Sequence, residues 1–225
     1  RLAAAYKRTQ AMGFAVCVPA GAGFGLVADM FVHILLGEKW LPIIPIMQVL
    51  AFAFAFENLV TATAPLAMAM GATRALFVRD AATFACRVPV VVGGLLFFGI
   101  PGLLAARAFA TMLSVALNML LAKNIVRVSI RSQLLGCSRT FTAVAGMSLC
   151  VVLFKTILPP DAEASVAGLL ATIAVGGVAY AASHLGLWSI VGRPKGPETE
   201  LLAIIGGLIQ KFGIAGKLGV SLRKQ

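Results

Sequence analysis

Long stretches without a formal charge limit what this chain can become. None occurs from Ala11 to Ala28, and from Leu41 to Thr73 only Glu57 intervenes. Ala81 to Ala122 holds only Arg87 and Arg107, Phe141 to Leu158 only Lys155, and Ala164 to Gly192 no charge, with Tyr180 and His184 its titratable residues. A hydrocarbon core about 30 Å thick needs roughly 20 apolar residues per crossing helix, and these blocks meet that length. Hydrophobic residues make up 60% of the 225 and charged residues 12%, with a mean hydropathy of +0.97, which excludes both a water-soluble globule and a charged disordered chain. Cys17, Cys86, Cys137 and Cys150 are too irregularly spaced for a disulfide framework or zinc set and read as reduced core residues.

The Ala81–Ala122 block is too long for one crossing and divides at Gly99-Ile100-Pro101-Gly102, a turn signal. The basic residues support the division. All but Lys39, Arg87, Arg107 and Lys155 fall in four clusters, at 1–8, 74–79, 123–139 and 193–224. Cytoplasmic loops collect Lys and Arg, so an even number of crossings separates neighbouring clusters. Two crossings fit each gap. The expectation is an all-α integral membrane protein, a six-helix bundle with spans at about 11–34, 42–70, 75–98, 102–122, 140–158 and 166–191 and both termini cytoplasmic. The net charge of +11 is then an orientation signal, which excludes a nucleic-acid partner. Asn124–Ser138 is expected to form an interfacial helix, with Arg127 and Arg131 on one face, and residues 193–225 a cytoplasmic amphipathic tail against the lipid headgroups. No signal peptide is visible and the first residue is Arg1, so the chain reads as the continuation of something longer.

Gly21 and Gly25 form a small-xxx-small pair, which predicts close helix packing, and Pro19, Pro65 and Pro89 predict kinks in three spans. Buried ionisable groups carry the functional signal, because each costs about 2.5–3.5 kcal/mol at the bilayer centre. Glu57 and Arg87 lie near mid-span at similar depth, and Arg107 lies near one end of its span, within snorkelling reach of water. Two readings stay open for the first pair: a neutralising ion pair, or a cavity in which Arg87 and Arg107 receive phosphate oxygens and Glu57 tunes them. Asp29 and His33, four residues apart, are either a solvated rim or a titrating gate, and His184 reads as a hydrogen-bonded packing residue. No phosphate loop, metal-ligand set or hydrolase signature occurs, so neither enzyme activity, a metal nor a cofactor is expected.

Leu36-Gly37-Glu38-Lys39-Trp40, with Pro42 and Pro45 following, and Ala69-Met70-Gly71-Ala72-Thr73-Arg74 closing the next helix, resemble the C-terminal half of bacterial polysaccharide flippases. These belong to the multidrug/oligosaccharidyl-lipid/polysaccharide exporter superfamily. Arg193-Pro194-Lys195-Gly196-Pro197-Glu198 is similar to the tail of such proteins. The resemblance implies one six-helix lobe, the C-lobe, of an inner-membrane flippase that moves undecaprenyl-diphosphate-linked oligosaccharide by alternating access. It offers Arg87, and with it Arg107, as substrate-binding residues. Relatives carry about twice as many spans, so it also implies an N-terminal or partner lobe. Two other readings accompany it: a noncatalytic membrane scaffold or inactive remnant with structural buried charges, and a drug or ion exporter of the same superfamily.

Overall fold

A computed structural model describes residues 2–159, 162 and 164–190, so the expected tail at 193–225 lies outside the described residues. Those residues are all-helical. Helix α1 spans Leu2–Leu35, and a 3-10 turn at Glu38–Ile43 leads into α2, Ile44–Glu57. A second 3-10 turn at Asn58–Val60 leads into α3, Thr63–Ala69, followed by α4, Thr73–Val126, α5, Ile130–Ile157, and α6, Val166–Ile190. Five helical segments are long and apolar enough to cross a membrane, as expected of a multi-pass membrane protein: α1, Glu38–Glu57, α4, α5 and Val166–Leu187.

Helix α4 has 54 residues, about 81 Å if it were straight at 1.5 Å per residue. It is not straight. Gly99 has φ 63° and ψ −147°, a conformation essentially restricted to glycine. The chain folds back there, so that Gly94 and Gly102 meet backbone to backbone and Arg79 reaches Asn118. The turn expected at Gly99–Gly102 is therefore present, and α4 consists of two antiparallel arms, 73–98 and 100–126. Arg127, at φ 55°, ends the second arm, and Ser129 caps α5 by accepting a hydrogen bond from the Ser132 amide at 3.3 Å. The separate interfacial helix expected at Asn124–Ser138 is not found. Its residues are divided between the end of α4 and the start of α5, because this break falls inside the segment.

The span expected at 42–70 is discontinuous. Asn58–Ala62 interrupts it, and Pro65 sits in the first turn of α3, where its missing N–H is not needed. A continuous helix would drive the Pro65 ring into the Thr61 carbonyl. At the interruption Asn58 Nδ2 donates to the Phe54 carbonyl at 2.9 Å and Thr61 Oγ1 to the Asn58 carbonyl at 3.0 Å. Pro19 and Pro89, by contrast, lie inside helices whose backbone stays helical around them. Pro19 leaves the Ala15 carbonyl without its helical donor, and the Tyr180 hydroxyl on α6 supplies one at 2.6 Å.

Helix α1 is the centre of the bundle, in contact with α2, α5 and α6. A Cβ on Gly21 would lie 2.7 Å from Ala55 Cβ and 2.8 Å from the Ala51 carbonyl oxygen, so the expected close packing is against α2. Phe14, Val18, Ala55, Val60, Val115, Met119 and Cys137 form the largest buried apolar cluster, with Phe14 and Phe141 edge to face at 4.9 Å. Large apolar side chains also cover the outside, among them Phe77, Phe84, Phe97, Phe98, Leu135 and Ile157, as a lipid solvent allows. All four cysteines are free. Only Cys137 is a buried core residue, while Cys86 and Cys150 are exposed, which corrects the reading of all four as core.

Candidate functional site

The interruption after Glu57 and the two arms of α4 together place a charged seam where α2 and α3 pack against α4. Arg79, Thr83 and Arg87 recur every four residues along the first arm, and Arg107, Thr111, Ser114 and Asn118 follow helical spacing along the second. Glu57, the last residue of α2, faces both arms. Its Oε1 lies 3.0 Å from Arg107 Nη2 and 3.9 Å from Arg87 Nη2. The Glu57, Arg87 and Arg107 side chains are 32%, 42% and 21% exposed, so Arg107 is the most shielded and Arg87 the most accessible. The three residues singled out in the sequence thus come together, but the tighter partner of Glu57 is Arg107. Arg107 turns inward to the carboxylate and does not snorkel outward, because an acceptor lies within reach at its own depth.

Further along the seam Arg79 Nη1 donates to Asn118 Oδ1 at 2.6 Å, its Nε lies 3.3 Å from Asp80 Oδ1, and its side chain is 14% exposed. Asn118 Nδ2 donates in turn to the Ser114 carbonyl at 2.8 Å. Sequence reasoning assigned Arg79 to a cytoplasmic charge cluster and missed this role. The available signal was its eight-residue separation from Arg87, two helical turns on one face. Glu57, Asn58, Thr61, Arg79, Arg87 and Asn118 help line a polar cavity of about 440 Å³. An apolar cavity of about 620 Å³ adjoins it between α1 and α2, lined by Phe24, Met47 and Leu50 among others. Phe54 borders both cavities, and Arg107 is the charged residue of the apolar one. Arg107 Nη1 and Thr111 Oγ1 are buried without a hydrogen-bond partner.

Asp29 and His33, read as a solvated rim or a titrating gate, do not engage each other. Lys155 Nζ on α5 takes Asp29 Oδ2 at 2.5 Å and also donates to the Leu26 carbonyl at 3.3 Å, while His33 is exposed. Sequence spacing within one helix could not reveal a partner 126 residues away. His184 is buried and stacks on Tyr180, with ring centroids 5.3 Å apart, in keeping with a packing residue. At the opposite end of the bundle from Asp29 a neutral network joins four helices. Tyr6 on α1 meets Thr63 on α3 at 3.2 Å and donates to Gln133 Oε1 on α5 at 3.4 Å. Gln133 Nε2 reaches the Met119 carbonyl on α4 at 3.3 Å and the Val128 carbonyl at 3.2 Å.

Among the described residues no three His, Cys, Asp or Glu side chains gather as a metal site would require, so the seam's chemistry is that of guanidinium, carboxylate, amide and hydroxyl groups. Such a set binds oxyanions and polyhydroxyl groups. Compared with protein-family models, curated proteins and solved structures, the chain matches none.

Proposed function

We propose that this chain is one lobe of a polysaccharide flippase that carries undecaprenyl-diphosphate-linked oligosaccharide across the bacterial inner membrane by alternating access, without catalysing a covalent reaction. In this reading α1, the interrupted α2–α3 unit, the two arms of α4, α5 and α6 make six crossings with both termini cytosolic. One observation carries the proposal: a polar cavity bearing Arg79 and Arg87 adjoins an apolar cavity at Phe54 and the Glu57–Arg107 pair. A diphosphate carrying a sugar on one side and a hydrocarbon chain on the other has the same division of polarity. Moving that head group through hydrocarbon unaided is prohibitive, and guanidinium groups along a wet path lower the barrier. The six crossings supply one wall of the path, and a second lobe supplies the other.

The competing reading is a noncatalytic scaffold, favoured by the 3.0 Å contact that already neutralises Glu57 with Arg107. Complementation of a flippase-deficient strain separates the two. With the full-length protein, Arg87→Ala is expected to abolish surface glycan at unchanged protein abundance, while Arg87→Lys retains part of it. Normal glycan with Arg87→Ala refutes the transport reading.

A further inference from the structure

The Glu57 carboxylate occupies the position that an incoming oxyanion would need, and three features show how weakly it is committed there. Its residue ends α2, where the helix dipole is negative and disfavours an acid, so the arginines and not the helix hold it. A single oxygen, Oε1, serves both guanidinium groups, and the 3.9 Å distance to Arg87 is too long for a hydrogen bond. Arg107 Nη1 is buried with no acceptor, so Glu57 leaves part of the site's donor capacity unused. The seam therefore presents more donors than one carboxylate can satisfy. Directly after Glu57 the helix is interrupted, with its carbonyls served by Asn58 and Thr61, so the acid sits at a joint whose hydrogen bonds are local.

We infer that Glu57 is a resident counter-ion that fills the anion site between Arg87 and Arg107 when no substrate is present, and that the phosphate groups of the substrate displace it. This rests on the transport reading above and adds a regulatory step to it. Arg87, the more exposed and more loosely held arginine, captures the anion first. Glu57 then gives up Arg107, whose second nitrogen gains the acceptor it lacks. Departure of the anion lets Glu57 return, which keeps Arg107, the more shielded arginine, from being left uncompensated between cycles.

The test uses the full chain in lipid nanodiscs and inorganic pyrophosphate as the probe, with binding read by calorimetry and thermal stability in parallel. Glu57→Gln removes the competing charge and is expected to tighten pyrophosphate binding about tenfold or more, the scale of one charge-assisted hydrogen bond. Arg87→Gln is expected to weaken binding by a similar factor. Unchanged or weaker binding by Glu57→Gln, with wild-type binding still dependent on Arg87, overturns the counter-ion role and leaves anion binding standing. Wild-type affinity equal to that of Arg87→Gln overturns both. Should Glu57→Gln fail to fold, infrared difference spectra of the wild-type chain decide. Pyrophosphate is expected to shift a carboxylate stretching band that Glu57→Asp alters, and an unshifted band overturns the displacement.

Discussion

Replacing Tyr180 by phenylalanine removes the hydroxyl that donates to Ala15 and asks whether that bond exists because of a proline. Pro19 has no N–H, so the Ala15 carbonyl loses its helical donor, and the Tyr180 hydroxyl takes that place at 2.6 Å from the neighbouring helix. Phenylalanine keeps the ring and its stacking on His184 while deleting the donor. An orphaned buried acceptor costs about 1–3 kcal/mol, and hydrogen bonds between helices in lipid fall mostly at or below the low end of that range. Tyr180→Phe should therefore destabilise the folded chain by about 1 kcal/mol in reversible denaturant unfolding from mixed micelles. The control is Pro19→Ala, which restores an N–H able to reach Ala15. In that background Tyr180→Phe should have almost no effect, giving a coupling of about 1 kcal/mol, well above the roughly 0.3–0.5 kcal/mol at which independent sites are additive. Equal losses in both backgrounds would show that the hydroxyl does not compensate the proline.

The fold-back of α4 depends on a glycine-only conformation, so Gly99→Ala is expected to lower stability by about 1–3 kcal/mol. Gly93→Ala, in a helical position with nothing within 4 Å of the added methyl, should be neutral or mildly stabilising when both variants are compared by denaturant unfolding. Gln133→Leu strips donors from the Met119 and Val128 carbonyls and an acceptor from Tyr6, and a loss of about 2–3 kcal/mol is expected by denaturant titration. A cost below about 0.5 kcal/mol, the level of ordinary surface changes, would remove that network from the account of stability.

Much of this was legible because depth in a membrane is written along the chain. Charge-free blocks gave the helices, Gly99 with Pro101 and Gly102 gave the reversal, and the matched positions of Glu57 and Arg87 gave their meeting. Rotation about each helix axis is not written the same way. Arg79 and Arg74 look alike as loop-flanking cations, yet only Arg79 points along the face that carries Arg87 and meets Asn118. Asp29 has a tempting neighbour in His33 on its own helix, but Lys155 reaches it from α5, and nothing local predicts that approach. The interruption after Glu57 was hidden because Pro65, its cause, lies several residues further on and was read as a kink in one helix.

The two ends of the bundle are fastened by chemically different clasps. Around Tyr6 the fastening is made of uncharged groups, nearly sealed from solvent, which dissolved ions leave untouched. Around Asp29 it is one ammonium and one carboxylate, the latter 45% exposed, within reach of an electrolyte. The contact between α1 and α5 is therefore salt-sensitive at the Asp29 end and salt-indifferent at the Tyr6 end.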